Sequence, residues 1–117
     1  MRSSALVAAL VLAITASMLA SDAREEAKEQ VKFGIQVAQH NLWREAISKF
    51  ERAADVDPTY AAAWNNLAIA YEQQGELAKA NEAYQKALKI NPDNQYIKQN
   101  YDLFREIHER TLRQNSR

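Results

Sequence analysis

Cysteine is absent from the 117 residues, which excludes disulfides, thiolate metal sites, a catalytic thiol and a lipid-modified N-terminal cysteine. Glycine and proline number two each, too few for a chain built on tight turns and enough for long helices joined by short connections. An excess of charge of either sign is also missing: 15 Lys and Arg balance 15 Asp and Glu, and the pI is near 6.7. Nucleic-acid binders carry a strongly basic face, so this balance points away from a nucleic-acid partner. No glycine-rich phosphate loop occurs, and neither Ser48 nor Thr59 has a His/Asp setting. His40 and His108 lie far apart in the chain without a ligand pattern around them. The expectation is a non-enzymatic protein with no catalytic residues, no metal and no cofactor.

What is present begins with an address. Arg2 and the free amine make a positive start, and Ala5–Ile14 is an apolar run. Small and polar residues follow, and Ser21-Asp22-Ala23 places small side chains at the two positions a signal peptidase inspects. Residues 1–23 therefore read as a secretory signal peptide. The alternative is an uncleaved anchor, because Ser3–Ser21 is free of charge and approaches the ~20 residues that span a bilayer. Either way Arg2 holds the N-terminus inside and the rest of the chain is expected outside the cytoplasm, periplasmic or secreted, or membrane-anchored with the domain on the non-cytoplasmic side.

Beyond Ala23 the sequence repeats at a spacing of 34. Phe33 matches Leu67, Gly34 matches Ala68, Val37 matches Tyr71 and Trp43 matches Leu77; Ala46, Phe50, Ala53, Val56 and Pro58 match Ala80, Tyr84, Ala87, Ile90 and Pro92. A fixed period of this size signals a repeat architecture. Apolar residues at three-and-four spacing predict helices near 25–40, 44–55, 60–74 and 77–90. Asn41 and Gly75 stand where a left-handed residue closes each hairpin. Asp57-Pro58 and Asn91-Pro92 end the second helix of each pair, since a residue before proline resists the helical conformation.

These residues resemble the tetratricopeptide repeat family. The second copy carries Trp64, Leu67, Ala68, Tyr71, Ala80, Tyr84, Ala87 and Pro92; the first has Gln30 where Trp64 stands, and keeps Phe33, Gly34, Ala46, Phe50, Ala53 and Pro58. The fold expected is an all-α solenoid over 24–113, with repeats at 27–60 and 61–94, a capping helix at 95–113 and a frayed tail at 114–117. Asp102 replaces the small Ala68 in the third unit, so no partner helix should follow, and Tyr96, Ile97, Tyr101, Phe104 and Ile107 should supply the cap's apolar face.

The resemblance implies a concave groove, lined by the first helix of each pair, that holds a peptide or helix of another protein. In this register the groove residues are Lys32, Ile35, Asn65, Asn66, Ile69, Gln73, Tyr96 and Asn100, joined by Lys28, Val31, Gln39, Ala62, Gln99 and Leu103. An asparagine amide both donates and accepts, so it can pair with peptide backbone of any sequence; the resemblance implies that role for Asn66. The basic positions of a carboxylate clamp hold Val31, Ile35, Tyr96 and Asn100 instead, which argues against a chaperone-tail ligand. The alternative function is a self-associating scaffold in an envelope assembly, in which a homodimer covers the face around Val31 and Val37. Contact with a membrane is expected only through an uncleaved N-terminal segment.

Overall fold

The computed structural model describes residues 2–117, apart from the side chains of Arg2, Leu112 and Asn115. The N-terminal amine that contributes to the positive start lies outside them. Among the described residues there are five helices: α1 (Arg2–Ala38), α2 (Trp43–Val56), α3 (Ala61–Gln73), α4 (Leu77–Ile90) and α5 (Gln95–Asn115). α1/α2 and α3/α4 are antiparallel hairpins, α2 packs on α3, α4 packs on α5, and α1 also touches α3. Helices α1, α3 and α5 thus form one layer and α2 and α4 the other.

The two hairpin turns are built alike. Asn41 has φ 60° and Gly75 has φ 75°, and the amide just after each left-handed residue reaches back across the helix end: Leu42 N donates to Val37 O at 3.2 Å and Glu76 N donates to Tyr71 O at 2.9 Å. This is the 6→1 closure of a helix that ends in a left-handed residue. The proline stops also match, with extended backbone at Asp57 (φ −137°) and Asn91 (φ −134°).

Small side chains allow close packing. Ala46, Ala53, Ala63, Ala68, Ala70, Ala80 and Ala87 are all fully buried, and Phe50, Tyr84 and Phe104 fill the spaces between them. Gly34 sits against Phe50, where an added Cβ would come within 2.7 Å of the ring's Cδ1. Only a glycine lets the ring lie there.

Three expectations change. First, Val31 is 6% exposed and belongs to the core with Ala27, so it neither lines the groove nor lies on an uncovered face. The uncovered face is Glu29, Phe33 and Gln36. Its counterparts one repeat later are Ala63, Leu67 and Ala70, buried against α2, and two repeats later Ile97, Tyr101 and Phe104. α1 has no preceding pair to cover it, so Phe33 remains 48% exposed, shielded only by Lys49, whose Nζ lies 5.0 Å from the ring centroid. Second, Ile107 is 58% exposed rather than part of the cap's buried face, because its counterpart position is Gln73, on the groove side. Third, α1 does not start near residue 25: it runs unbroken from Arg2, and residues 3–22 project exposed from the packed domain. The molecule measures 67 × 30 × 25 Å, its long axis drawn out by that projection. α5 continues as helix to Asn115, two residues past the expected end of the capping helix at 113.

Candidate groove on the α1, α3 and α5 layer

Two clefts open on the layer formed by α1, α3 and α5, and Asn66 lines both. One, about 240 Å³, is apolar and lies between α1 and α3, walled by Ile35, Ala38, Trp43, Phe50 and Ile69 with Gln39 at its edge. The other, about 380 Å³, lies between the start of α3 and the start of α5, lined by Arg24, Tyr60, Asn65, Asn91, Asn94 and Tyr96 among others. An apolar pocket beside a polar one, with an amide at their junction, can seat an apolar side chain while pairing with the backbone that carries it.

The Asn66 amide is half-committed. Its Nδ2 donates to Ala62 O one turn back at 2.8 Å, which fixes the rotamer and orients Oδ1. Its second N–H and its Oδ1 have no hydrogen-bond partner among the described residues. Asn65, its neighbour, is 2% exposed, and its Oδ1 accepts from Asn100 Nδ2 at 3.3 Å. This pair ties α3 to α5, so Asn65 meets an incoming chain only if Asn100 moves. Asn100 itself is half-buried.

Of the groove residues expected from sequence, Ile35, Asn66 and Ile69 come together at the apolar cleft, and Asn65, Asn66 and Tyr96 at the polar one. Lys32 and Gln73 are exposed and line neither cleft. Leu103 and Ile107, 56% and 58% exposed, extend the apolar surface along α5. Among the lining residues that the sequence reading did not assign to the groove are Trp43 and Arg24. Trp43 reads as a packing residue by its spacing; it is half-buried and packs on the core with one part while walling the cleft with another. Arg24 belongs to no repeat position, and its role depends on a contact with the turn between α2 and α3.

That contact is a clamp. Arg24 Nε donates to Asp57 Oδ2 at 2.5 Å and Nη2 to Thr59 Oγ1 at 3.1 Å, with the guanidinium 4.8 Å from the Tyr60 ring centroid. Asp57 Oδ1 in turn accepts from Thr59 N at 3.0 Å and Thr59 Oγ1 at 2.6 Å, the side-chain-to-backbone turn that aspartate favours. Burial alone would raise the Asp57 pKa, but the Thr59 and Arg24 hydrogen bonds and the Arg24 charge outweigh it and hold the carboxyl below its ordinary value.

At the far end, Glu72 joins three helices: Tyr84 Oη donates to its Oε1 at 3.2 Å, and His108 Nε2 lies 3.1 Å from its Oε2. Burial and the Glu72 charge push the Tyr84 phenol well above its usual range, so it stays a neutral donor. Among the described residues no cluster of three or more His, Asp or Glu side chains is placed to hold a metal ion.

Residues 32–95 match the family model described as "Tetratricopeptide repeat". The chain is 32% identical over 73 residues to the "Tetratricopeptide repeat domain-containing protein PYG7, chloroplastic" of Arabidopsis thaliana, covering 62% of this chain and 24% of that protein. It is 36% identical over 67 residues to the "Protein O-mannosyl-transferase TMTC1" of Mus musculus, covering 57% of this chain and 7% of that one. A third similarity is to the "Small glutamine-rich tetratricopeptide repeat-containing protein 2" of Mycosarcoma maydis, 33% over 63 residues, covering 54% and 17%. The chain spans less than a quarter of each of these relatives.

Proposed function

This chain belongs to the tetratricopeptide repeat family, and from that premise we propose that it is an adaptor whose groove holds a peptide or helix of a partner protein outside the cytoplasm. Repeats of this family are in general non-catalytic and mediate protein–protein interaction; the transferase activity named for one relative belongs to that much longer protein. The observation that carries the proposal is Asn66, an oriented amide with uncommitted donor and acceptor at the junction of an apolar and a polar cleft. Ile35, Ile69 and Leu103 would take apolar side chains of the ligand. Location outside the cytoplasm rests on the positive start and apolar run of residues 1–23.

The test is capture of partners by full-length protein in its native host, comparing wild type with Asn66→Ala and with Ile69→Lys. Asn100→Ala is a poor probe, since it strips a partner from the buried Asn65 and confounds binding with stability. Loss of one partner in both variants, with unchanged thermal melting, supports the groove. Capture that survives both variants refutes it. Self-association is the second reading, and the face that would carry it, around Phe33, has one large apolar residue between Glu29 and Gln36. Sedimentation showing only monomer across micromolar concentrations removes that reading.

A further inference from the structure

The projecting half of α1 carries eight of the exposed large apolar side chains among the described residues, and it has no polar side. Leu6, Val7, Leu10, Leu12, Ile14 and Leu19 are each at least 51% exposed, and at 100° per residue they point around the whole helix. A helix that docks on a protein keeps one apolar stripe, whereas one that is apolar all round is buried in a core or in lipid. An 18-residue stretch of α1 has a mean hydropathy of 2.1 and none of it is buried. The charge-free segment Ser3–Ser21, at about 1.5 Å per residue, is close to 30 Å long, the thickness of a bilayer's hydrocarbon. Thr15 Oγ1 donates to Leu12 O at 2.9 Å, so this hydroxyl is satisfied within its own helix, as a lipid environment demands.

We propose that residues 3–22 are a retained bilayer span, and that the end of the repeat domain where α1 enters it lies against the lipid headgroups. A protease reads extended backbone, yet Ser21 to Arg24 lie within an unbroken helix and the Arg24 side chain is locked onto Asp57, Thr59 and Tyr60. With Pro and Gly absent from residues 1–33, no hinge separates span from domain, so the clamp fixes the domain's tilt over the membrane. Arg24 lies two residues beyond Asp22, and α2 and α4 end, and α3 and α5 begin, at this same end. The facing turns, Asp57–Tyr60 and Asn91–Asn94, flank one opening with Arg24. Tyr96 is 64% exposed there and Ile90 is 38% exposed, the amphipathic and apolar residues that suit a membrane–water interface. The Asn41 and Gly75 turns stand about 20 Å further out, one helix length away. This placement sets the mouth of the polar cleft, with Arg24 and Tyr96, beside the headgroups, while the apolar cleft at Ile35, Gln39 and Trp43 lies toward the Asn41 turn.

Because the chain has no cysteine, single labels are clean. Full-length protein carrying Asp93→Cys, Tyr96→Cys or Gln74→Cys, each with an environment-sensitive fluorophore, is reconstituted in vesicles of phosphatidylcholine and phosphatidylglycerol with a headgroup-attached quencher. All three sites are exposed, and circular dichroism checks the fold of each variant. The expected result is severalfold stronger quenching at 93 and 96 than at 74, together with recovery of intact chain from host membranes. Equal quenching at the three sites overturns the interfacial placement, and a mature chain that begins at Arg24 overturns the span; neither result bears on the apolar cleft at Ile35 and Ile69.

Discussion

The two repeats are built on one plan and differ in what covers them. At matching positions the first has Glu29, Phe33 and Gln36, and the second Ala63, Leu67 and Ala70. The second set is buried against α2, and Leu67 is 3% exposed; the first set faces outward, and Phe33 is 48% exposed. The residue type at position 33 is that of a core position, so pattern alone assigns it to the core. Burial is decided instead by whether a helix pair precedes it. In a stack of repeats each unit borrows half its core from its neighbour, and the first unit has none to borrow from.

The sharpest way to break this comparison is to truncate both members of the pair. Leu67→Ala should cost about 2–5 kcal/mol, the range for emptying a packed leucine site, while Phe33→Ala should cost only about 1 kcal/mol, since about half of its surface stays in water. Equal losses in urea-unfolding midpoints would show that Phe33 is covered in solution. Next come the small residues at the hairpin contacts. Gly34→Ala presses on Phe50 and Ala80→Leu overpacks a fully buried site; each should cost about 1–3 kcal/mol. Thermal melting with no loss at Ala80 would remove that contact from the account. The turns come third. Gly75→Ala forces a side chain into the left-handed region at about 1–2 kcal/mol, whereas Asn41→Gly should hold or slightly raise stability, and differential scanning calorimetry of the two variants distinguishes them.

The smallest effect separates the two proline stops, where the first repeat has Asp57 and the second the neutral Asn91. Since the folded-state pKa of Asp57 lies below its ordinary value, its contribution is fully present above about pH 4 and is lost as pH falls further through the folded value. With Arg24 39% exposed, screening limits the contribution to about 1 kcal/mol or less. Asp57→Asn should therefore flatten the acid limb of the urea midpoint below about pH 4; an unchanged slope would mean that the clamp contributes nothing.

Much of the fold is legible in the sequence because it is local. The left-handed residues at Asn41 and Gly75, the proline stops and the alanines at 46, 68, 80 and 87 each act within one hairpin, where spacing suffices. The groove is legible in part. Ile35, Asn66 and Ile69 converge because they occupy repeating positions on the α1 and α3 layer. Asn65 and Asn100 are less readable, since adjacent asparagines look alike in sequence and only the approach of α5 shows which one is buried. Val31 falls in the core although its register position suits the groove, because which side of α1 meets α3 depends on the neighbouring pair. The helix join at residues 22–24 is invisible to a pattern search, because a cleavage motif and a continuous helix are written in the same small residues.

The central claim, that the α1–α3–α5 layer is the working surface, is tested most directly by photo-crosslinking in the native host. A crosslinking residue is placed at Ile35, which walls the apolar cleft, or at Glu82, exposed on α4 in the opposite layer. The account predicts a discrete partner adduct from position 35 and none from position 82. An adduct from 82 alone, or only dimers of the chain from 35, would contradict it.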